Sequence, residues 1–350
     1  MATNYLNYLP PFLRNKLQRI FDQHNGLRSG SSNKQASNKT QRERRQIVLL
    51  AFGQLWMLGY KIQHPESLGG KHIELLAKHW QQSGLAASTL HARMSALRVF
   101  TRWIKKDGLV KNNEAYFPPE AIARCGIATT NKAWLPNNID PLTIIIKARM
   151  IDERLGLFLP LMYFLGLRVK EALQFRPLNS MIENGIALEI HEGTKGGRLR
   201  HVPLNTPEQL AVFQWACAIA EKSPNGRLRW PDMTWRQAQN HFYYLVRVRL
   251  NISRKETGVT MHGLRHGYAQ WKYRQLTGLP TPVEGGAIGS IDRSTHQTAS
   301  ISVSRALGHS RTAVTSSYYG SYGHALRGKN ILGNRNQRNQ ADELDSAPVI

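Results

Sequence analysis

The stretch Leu155-Gly156-Leu157-Phe158-Leu159-Pro160-Leu161-Met162-Tyr163-Phe164-Leu165-Gly166-Leu167-Arg168-Val169-Lys170-Glu171 passes from an apolar run into a charged segment within a few residues. The run from Leu155 to Leu167 falls short of the ~20 residues that a membrane-spanning helix needs, and Pro160 and Gly166 interrupt it. It therefore reads as the buried core of a domain. Gly166 can end the run, so that a further helix begins near Arg168 and carries Glu171 one turn on. The Arg168–Glu171 pair allows two readings. One is a surface ion pair, worth at most ~1 kcal/mol. The other is a carboxylate that orients the guanidinium fork for a bidentate grip on a phosphate.

Working outward, the alternation of Ile186, Leu188 and Ile190, the Gly196-Gly197 turn and the extended segment from Arg198 to Pro203 predict a β-hairpin. The rest of this part of the chain is expected to be helical. Upstream, residues 112 to 138 lose their period and collect Pro118-Pro119, Gly126, Pro136 and paired asparagines, which marks a linker. Before it, Leu90, Met94, Leu97, Thr101 and Ile104 recur at three- and four-residue spacing between Ser88 and Gly108, the pattern of an amphipathic helix. Its other faces carry Arg93, Arg98, Arg102, Lys105 and Lys106, either a solvated surface or one that lies along a phosphate backbone. A capping-box pattern at Thr40-x-x-Glu43 announces the first helix of that domain. The preceding polar residues, ending in Arg28-Ser29-Gly30-Ser31-Ser32-Asn33-Lys34, read as mobile.

These boundaries give a flexible arm over 1–39, a helical domain over 40–111, a linker over 112–138, a second domain over 139–326 and a tail over 327–350. The 350 residues carry 47 Lys and Arg against 23 Asp and Glu, a formal charge of +24 that favours a polyanionic partner, nucleic acid first. Two cysteines, Cys125 and Cys217, are too few for a disulfide framework or a four-thiolate zinc site, so a reduced cytoplasmic setting is expected. No leader pattern points to secretion, and no membrane partner is expected.

Further segments bring cations, imidazoles and phenols to the second domain. Thr194-Lys195-Gly196-Gly197-Arg198 sits at the hairpin turn, where Lys195 can carry an ammonium into a groove. In His262-Gly263-Leu264-Arg265-His266, a helix puts His262 and Arg265 on one face. His262 and His266 have the spacing of half a zinc site, but the glutamate of the metalloprotease helix motif is missing, so no metal is assigned and His266 is read as a support. Ala306-Leu307-Gly308-His309-Ser310 precedes Tyr318-Tyr319.

Taken in order, these segments resemble the tyrosine recombinase family, which includes phage integrases and the Xer-type resolvases. The family's pattern of Arg, Lys, His-x-x-Arg, His or Trp, then Tyr falls on Arg168, Lys195, His262 with Arg265, His309 and Tyr318. The match extends to Gly-Leu-Arg-x-x-Glu, to Thr-Lys-Gly-Gly, and to a Leu-Gly-His whose histidine lies nine residues before the tyrosine. The resemblance implies a mainly α protein with a small antiparallel sheet, in which a helical core-binding domain and a catalytic domain grip duplex DNA. It also implies a homotetramer on two synapsed sites, with accessory DNA-bending or directionality proteins as further candidate partners. Cleavage by Tyr318 would leave a 3′-phosphotyrosyl link, with Glu171 and His266 in support. No cofactor, metal or ATP is implied, since no Walker motif and no two-metal carboxylate cluster is present. The alternatives are a noncatalytic DNA-binding regulator of the same fold and a type IB topoisomerase.

Two features depart from a compact family member. Arg265 to His309 spans 309 − 265 = 44 positions, about twenty more than needed, and Gly278 to Ser304 reads as an inserted loop. An unbroken helix from Ser310 to Tyr318 would also separate His309 from Tyr318 by roughly 13 Å along its axis. A break near Thr315 to Ser317, or delivery of the tyrosine to a partner subunit, is therefore expected. Tyr319 is the nearest rival nucleophile, and Tyr322 is a weaker one because it follows Gly320.

Overall fold

In the computed structural model the described residues are 5–27, 35–182, 185–194, 197–287, 289–309 and 311–321. They fold into two units, one ending at Cys125 and the other starting at Gly126. The first is built from helices α1 (Pro11–His24), α2 (Asn38–Met57), α3 (Gly70–Gln82), α4 (Ala87–Trp103) and the short α5 (Pro119–Ile122). In α4, Leu90, Met94, Leu97 and Thr101 are buried as their spacing predicts, and Ile104 is buried just past its end. Helix α1 corrects the reading of residues 1–39 as a flexible arm. Pro11 opens it, and Leu13, Leu17 and Phe21, four residues apart, are buried in the same core as Leu97 and Phe100. At ~1.5–3 kcal/mol for each such side chain, that burial is enough to order a short helix. The segment 28–34 lies outside the described residues. Helix α2 starts slightly earlier than its capping-box pattern suggests, because Ser37 caps it and accepts from the Thr40 backbone N–H at 3.2 Å.

The segment 112–138 is likewise less of a linker than its composition implies. Phe117 and Ile122 pack into the first core, while Trp134 packs into the second and donates its indole N–H to the Thr260 carbonyl at 2.8 Å. Proline and asparagine punctuate the backbone here without preventing the apolar residues between them from being buried.

The second unit contains α6 (Pro141–Ile151), α7 (Glu153–Phe164), α8 (Val169–Gln174), strands β1 (Met181–Ile182), β2 (Ala187–Ile190) and β3 (Arg200–Pro203), then α9 (Pro207–Glu221), α10 (Trp235–Tyr244), α11 (Arg254–Thr257), α12 (His262–Thr277), α13 (Arg293–Ala306) and α14 (Thr312–Tyr319). The expected hairpin is β2–β3, antiparallel with Leu188 opposite Val202 and Ile190 opposite Arg200, and β1 adds a third strand. The run from Leu155 to Leu167 forms the centre of the core, with most of its side chains buried. Gly166 ends it at φ +60, where a Cβ would come within 2.3 Å of the Tyr268 ring.

The interval Gly278–Ser304 is only partly a loop. Helix α13 takes its second half, capped by Asp292, whose carboxylate accepts from the Thr295 N–H at 2.9 Å. The residues Ala299, Ser300, Val303 and Ser304 are buried where α13 packs on α12 and α14. Small polar side chains look loop-like in composition, yet they allow helices to approach closely.

Candidate active site

Helix α8 begins at Arg168, and the Glu171 carboxylate reaches back to accept the Arg168 backbone N–H at 2.8 Å. That carboxylate has no exposed surface and meets three guanidiniums. It bonds to Arg168 through one oxygen, accepts from Arg200 at 2.5 Å through the other, and lies 3.7 Å from Arg265. Burial alone would raise the pKa of Glu171, but Arg200, Arg265 and Arg168 outweigh it and hold the group at about 2. Glu171 is thus ionised at neutral pH. Three cations around one anion leave the cluster with a surplus of positive charge.

Arg265, one turn into α12, is also fully buried. Its terminal nitrogens donate to the carbonyls of Gly166, at 2.5 Å, and of Leu307. Burial, with Arg200 nearby, lowers its pKa to about 10, so it stays charged at neutral pH. Its Nε donates to the Tyr318 hydroxyl at 3.3 Å, and its guanidinium carbon lies 5.7 Å from the centre of the Tyr318 ring. Arg168, 21% exposed, offers the cluster's charge to the surface.

Three imidazoles surround the same phenol. Their ring centres lie 5.4 Å (His262), 4.7 Å (His266) and 5.4 Å (His309) from that of Tyr318. Nδ1 of His266 is 3.3 Å from the Tyr318 carbonyl oxygen, and Nδ1 of His309 is 3.3 Å from Thr315 Oγ1. Burial, reinforced by Lys132 and Arg265, pushes His266 down to about 4, and burial with Arg265, Arg168 and Arg200 nearby pushes His309 to about 3. His262 keeps an exposed edge at the mouth, and partial burial with His266 and Arg265 beside it lowers its pKa as well. Neutral imidazoles of this kind can accept a proton or donate an N–H, and the cations beside them favour negative charge at a bound group.

The chain matches two family patterns in succession, "Phage integrase, N-terminal" over residues 26–110 and "Integrase" over residues 121–271. It is 33% identical over 149 residues to tyrosine recombinase XerC of Haemophilus influenzae, covering 41% of this chain and 46% of that one. It is 27% identical over 250 residues to XerC of Proteus mirabilis, covering 65% and 72% respectively. The chain thus spans about half the length of the first relative and almost three quarters of the second. Among solved structures, its fold is similar to the Tn1549 transposon integrase in complex with transposon right end DNA, with a TM-score of 0.56, 12% identity, and 92% and 99% of the two chains covered. It is also similar to a lambda integrase tetramer bound to a Holliday junction, with a TM-score of 0.54, 16% identity, and 89% and 78% covered. The chain belongs to the tyrosine recombinase family.

Of the family's residue pattern, His262, Arg265 and His309 come together around the Tyr318 phenol, Arg168 joins them through Glu171 and the Leu307 carbonyl that Arg265 also binds, and Lys195 lies outside the described residues. Neither expected break near Thr315–Ser317 nor delivery from a partner is needed to bring His309 to Tyr318. Helix α14 is continuous, and the chain turns before it, at Gly308 (φ +64) and the extended Arg311. His309 therefore lies beside the middle of α14 at Thr315, and the 13 Å separation, which assumed a helix running on from Ser310, does not arise. Tyr319 points away, buried against Tyr273 with ring centres 5.2 Å apart, while Tyr322 lies outside the described residues.

Basic residues of the first unit have contacts within the chain. Arg93 stacks over Trp80 at 5.1 Å, Arg98 donates to the Lys111 carbonyl at 2.7 Å, Arg102 pairs with Asp107 at 3.0 Å, and Lys106 donates to the Leu68 carbonyl at 3.0 Å. Lys105, past the end of α4, is exposed. Four of the five hold their own loops and neighbours, which spacing along a helix cannot reveal.

Sequence reasoning also missed Arg200. The available signal was an arginine alternating with Val202 on the inward face of β3, at a position where an apolar residue would be expected.

Proposed function

We propose that this chain is a site-specific DNA recombinase that cuts and rejoins duplex DNA through a 3′-phosphotyrosyl link on Tyr318, in the integration or excision of a mobile element. The observation that carries the reading is the Tyr318 phenol held by Arg265 among His262, His266 and His309, with Arg168 beside it.

In this reading the Tyr318 oxygen attacks the scissile phosphorus as neutral His262 takes its proton. The bond to the 5′ oxygen breaks, and Lys195 gives that oxygen a proton. Arg168, Arg265 and a His309 N–H meet the charge that builds on the nonbridging oxygens, and loss of one such preorganised donor slows a reaction by roughly 100- to 1,000-fold. Because Arg265 is buried under the phenol, the Tyr318 ring has to swing outward as the phosphate enters. Glu171 holds Arg168, and His266 holds the backbone of Tyr318. Rejoining is the same step run backwards, and the phosphotyrosyl link conserves the bond, so the cycle needs no ATP.

Double-stranded DNA is the proposed partner, with a homotetramer on two synapsed sites and accessory DNA-bending or directionality proteins alongside, in the cytoplasm. Helices α1–α5 are assigned to core-site binding. The formal charge of +24 supports a polyanionic partner. The similar structures are of a transposon integrase with transposon right end DNA and of a lambda integrase tetramer on a Holliday junction.

The test uses nicked suicide duplexes carrying candidate attachment sites. The wild type is expected to form a covalent adduct that maps to Tyr318 after digestion and mass spectrometry, and Tyr318→Phe to bind the same DNA without forming it. An adduct on another tyrosine, or DNA binding with no adduct, overturns the assignment. Relaxation of supercoils without recombinant products would point to a topoisomerase instead.

A further inference from the structure

The Arg200 side chain has no exposed surface. Its Nε donates to the Ala306 carbonyl, one terminal nitrogen to Glu171 at 2.5 Å, and the other to the carbonyls of Leu165 and Gly166 at 2.8 and 3.1 Å. The Gly166 carbonyl is also held by Arg265, and Leu307, next to Ala306, offers its carbonyl to both Arg265 and Arg168. The turn into His309 packs on the Arg200 stem, where a Cβ at Gly308 would lie 3.1 Å from Cδ.

We propose that Arg200 is a positioning residue that, from strand β3, fixes Arg168, Arg265 and His309 in the arrangement the reaction needs by tying Glu171 and the backbone at 165–166 and 306 to one guanidinium. The inference rests on the recombinase reading. Filling the inward face of β3 beside Val202 does not call for a charge, and an apolar residue would do so without the desolvation that burying a guanidinium entails. What the guanidinium adds is a rigid plane of donors reaching three separate pieces of backbone and a carboxylate at once. Arg200 lies five positions after Lys195 in the chain, so the same hairpin that carries the proposed proton donor also braces the phosphate-binding arginines.

Glu171 is faced by Arg168 at the start of α8, Arg200 from β3 and Arg265 from α12, with His262 and His309 beyond them. Arg200 is one of the three cations that keep it ionised, and it bonds the same carboxylate oxygen that lies 3.7 Å from Arg265. Removing the Arg200 charge lets Glu171 take up a proton at a higher pH, so cleavage should begin to fall as the medium is acidified.

The experiment uses the full chain carrying Arg200→Lys or Arg200→Met, with nicked duplexes bearing candidate attachment sites. Tyr318 adduct formation is followed from neutral to mildly acid pH, alongside DNA affinity by fluorescence anisotropy and thermal melting. The expected result is DNA affinity close to wild type, adduct formation slowed by about 100-fold in the lysine variant, and a new acid-side decline in the methionine variant, which alone removes the charge. Wild-type rates with an unchanged pH profile would overturn the proposal. So would a slowing that only follows the folded fraction. If the methionine variant does not fold, the lysine variant decides on its rate at matched folded fraction. If the wild type forms no Tyr318 adduct, the recombinase reading fails, and the bracing is decided by acid unfolding alone. A midpoint moved to higher pH in Arg200→Met supports it, and an unmoved midpoint refutes it.

Discussion

Replacing Glu171 by glutamine removes the one anion beneath three arginines while keeping the size and most of the hydrogen-bonding capacity of the side chain. Holding the carboxyl at about 2 instead of its ordinary 4.5 corresponds to roughly 3 kcal/mol at about 1.4 kcal/mol per pH unit. A folded-state pKa below the unfolded value stabilises the fold above pH ~4.5, and this stabilisation is lost as pH falls towards ~2. At pH 7, Glu171→Gln should therefore lose about 3 kcal/mol. For a unit of this size, each kcal/mol lowers the melting temperature by roughly 2–4 °C, so the variant should melt about 6–12 °C below wild type. Thermal melts followed by circular dichroism would measure the gap, which should narrow by ~1.4 kcal/mol for each pH unit between 4.5 and 2. A variant that melts with wild type at pH 7, or a gap that stays constant down to pH 3, would refute the view of Glu171 as an ionised keystone.

Other substitutions test separate parts of the structure. Tyr319→Phe should leave the adduct rate within about twofold of wild type, since its ring packs against Tyr273 away from the site; a block on adduct formation would reopen the choice of nucleophile. His266 is held at about 4 against an ordinary 6.5, so the unfolded chain takes up its proton first, and the wild type should lose about 2 kcal/mol from this group between pH 6.5 and 5. His266→Asn should flatten that slope in urea titrations, and an unchanged slope would count against the burial argument. Lys272 is 7% exposed, has no hydrogen-bond or ion-pair partner among the described residues, and has its pKa lowered by burial. Lys272→Met should raise stability at pH 7 by about 1 kcal/mol, and a lower melting temperature would reveal a partner for the ammonium.

Much of the fold was legible because it rests on local rules. The three- and four-residue spacing from Leu90 to Thr101 gave α4, and the apolar run from Leu155 gave the buried α7. Composition misled where burial depends on partners distant in the chain. Leu13, Leu17 and Phe21 sit in a polar N-terminal stretch but find a core in α2 and α4, and the small residues of α13 resemble a loop until α12 and α14 close on them. Within the site, the resemblance to the family's ordered pattern pointed to Arg168, His262, Arg265, His309 and Tyr318.

By itself the sequence determined the inventory: a basic chain, two helical units, a hairpin, and an ordered set of cations, imidazoles and a phenol, because periodicity and residue chemistry are carried by neighbours along the chain. Only the tertiary structure decided that His309 doubles back beside α14, that Tyr319 faces the core, and that Arg200 braces the cluster. The contact from Arg200 to Ala306 spans 106 positions and that from Arg265 to Tyr318 spans 53. No local rule fixes which carbonyl or phenol a buried guanidinium will meet across such distances; packing of the whole unit does, because a buried charge must find every partner it can reach.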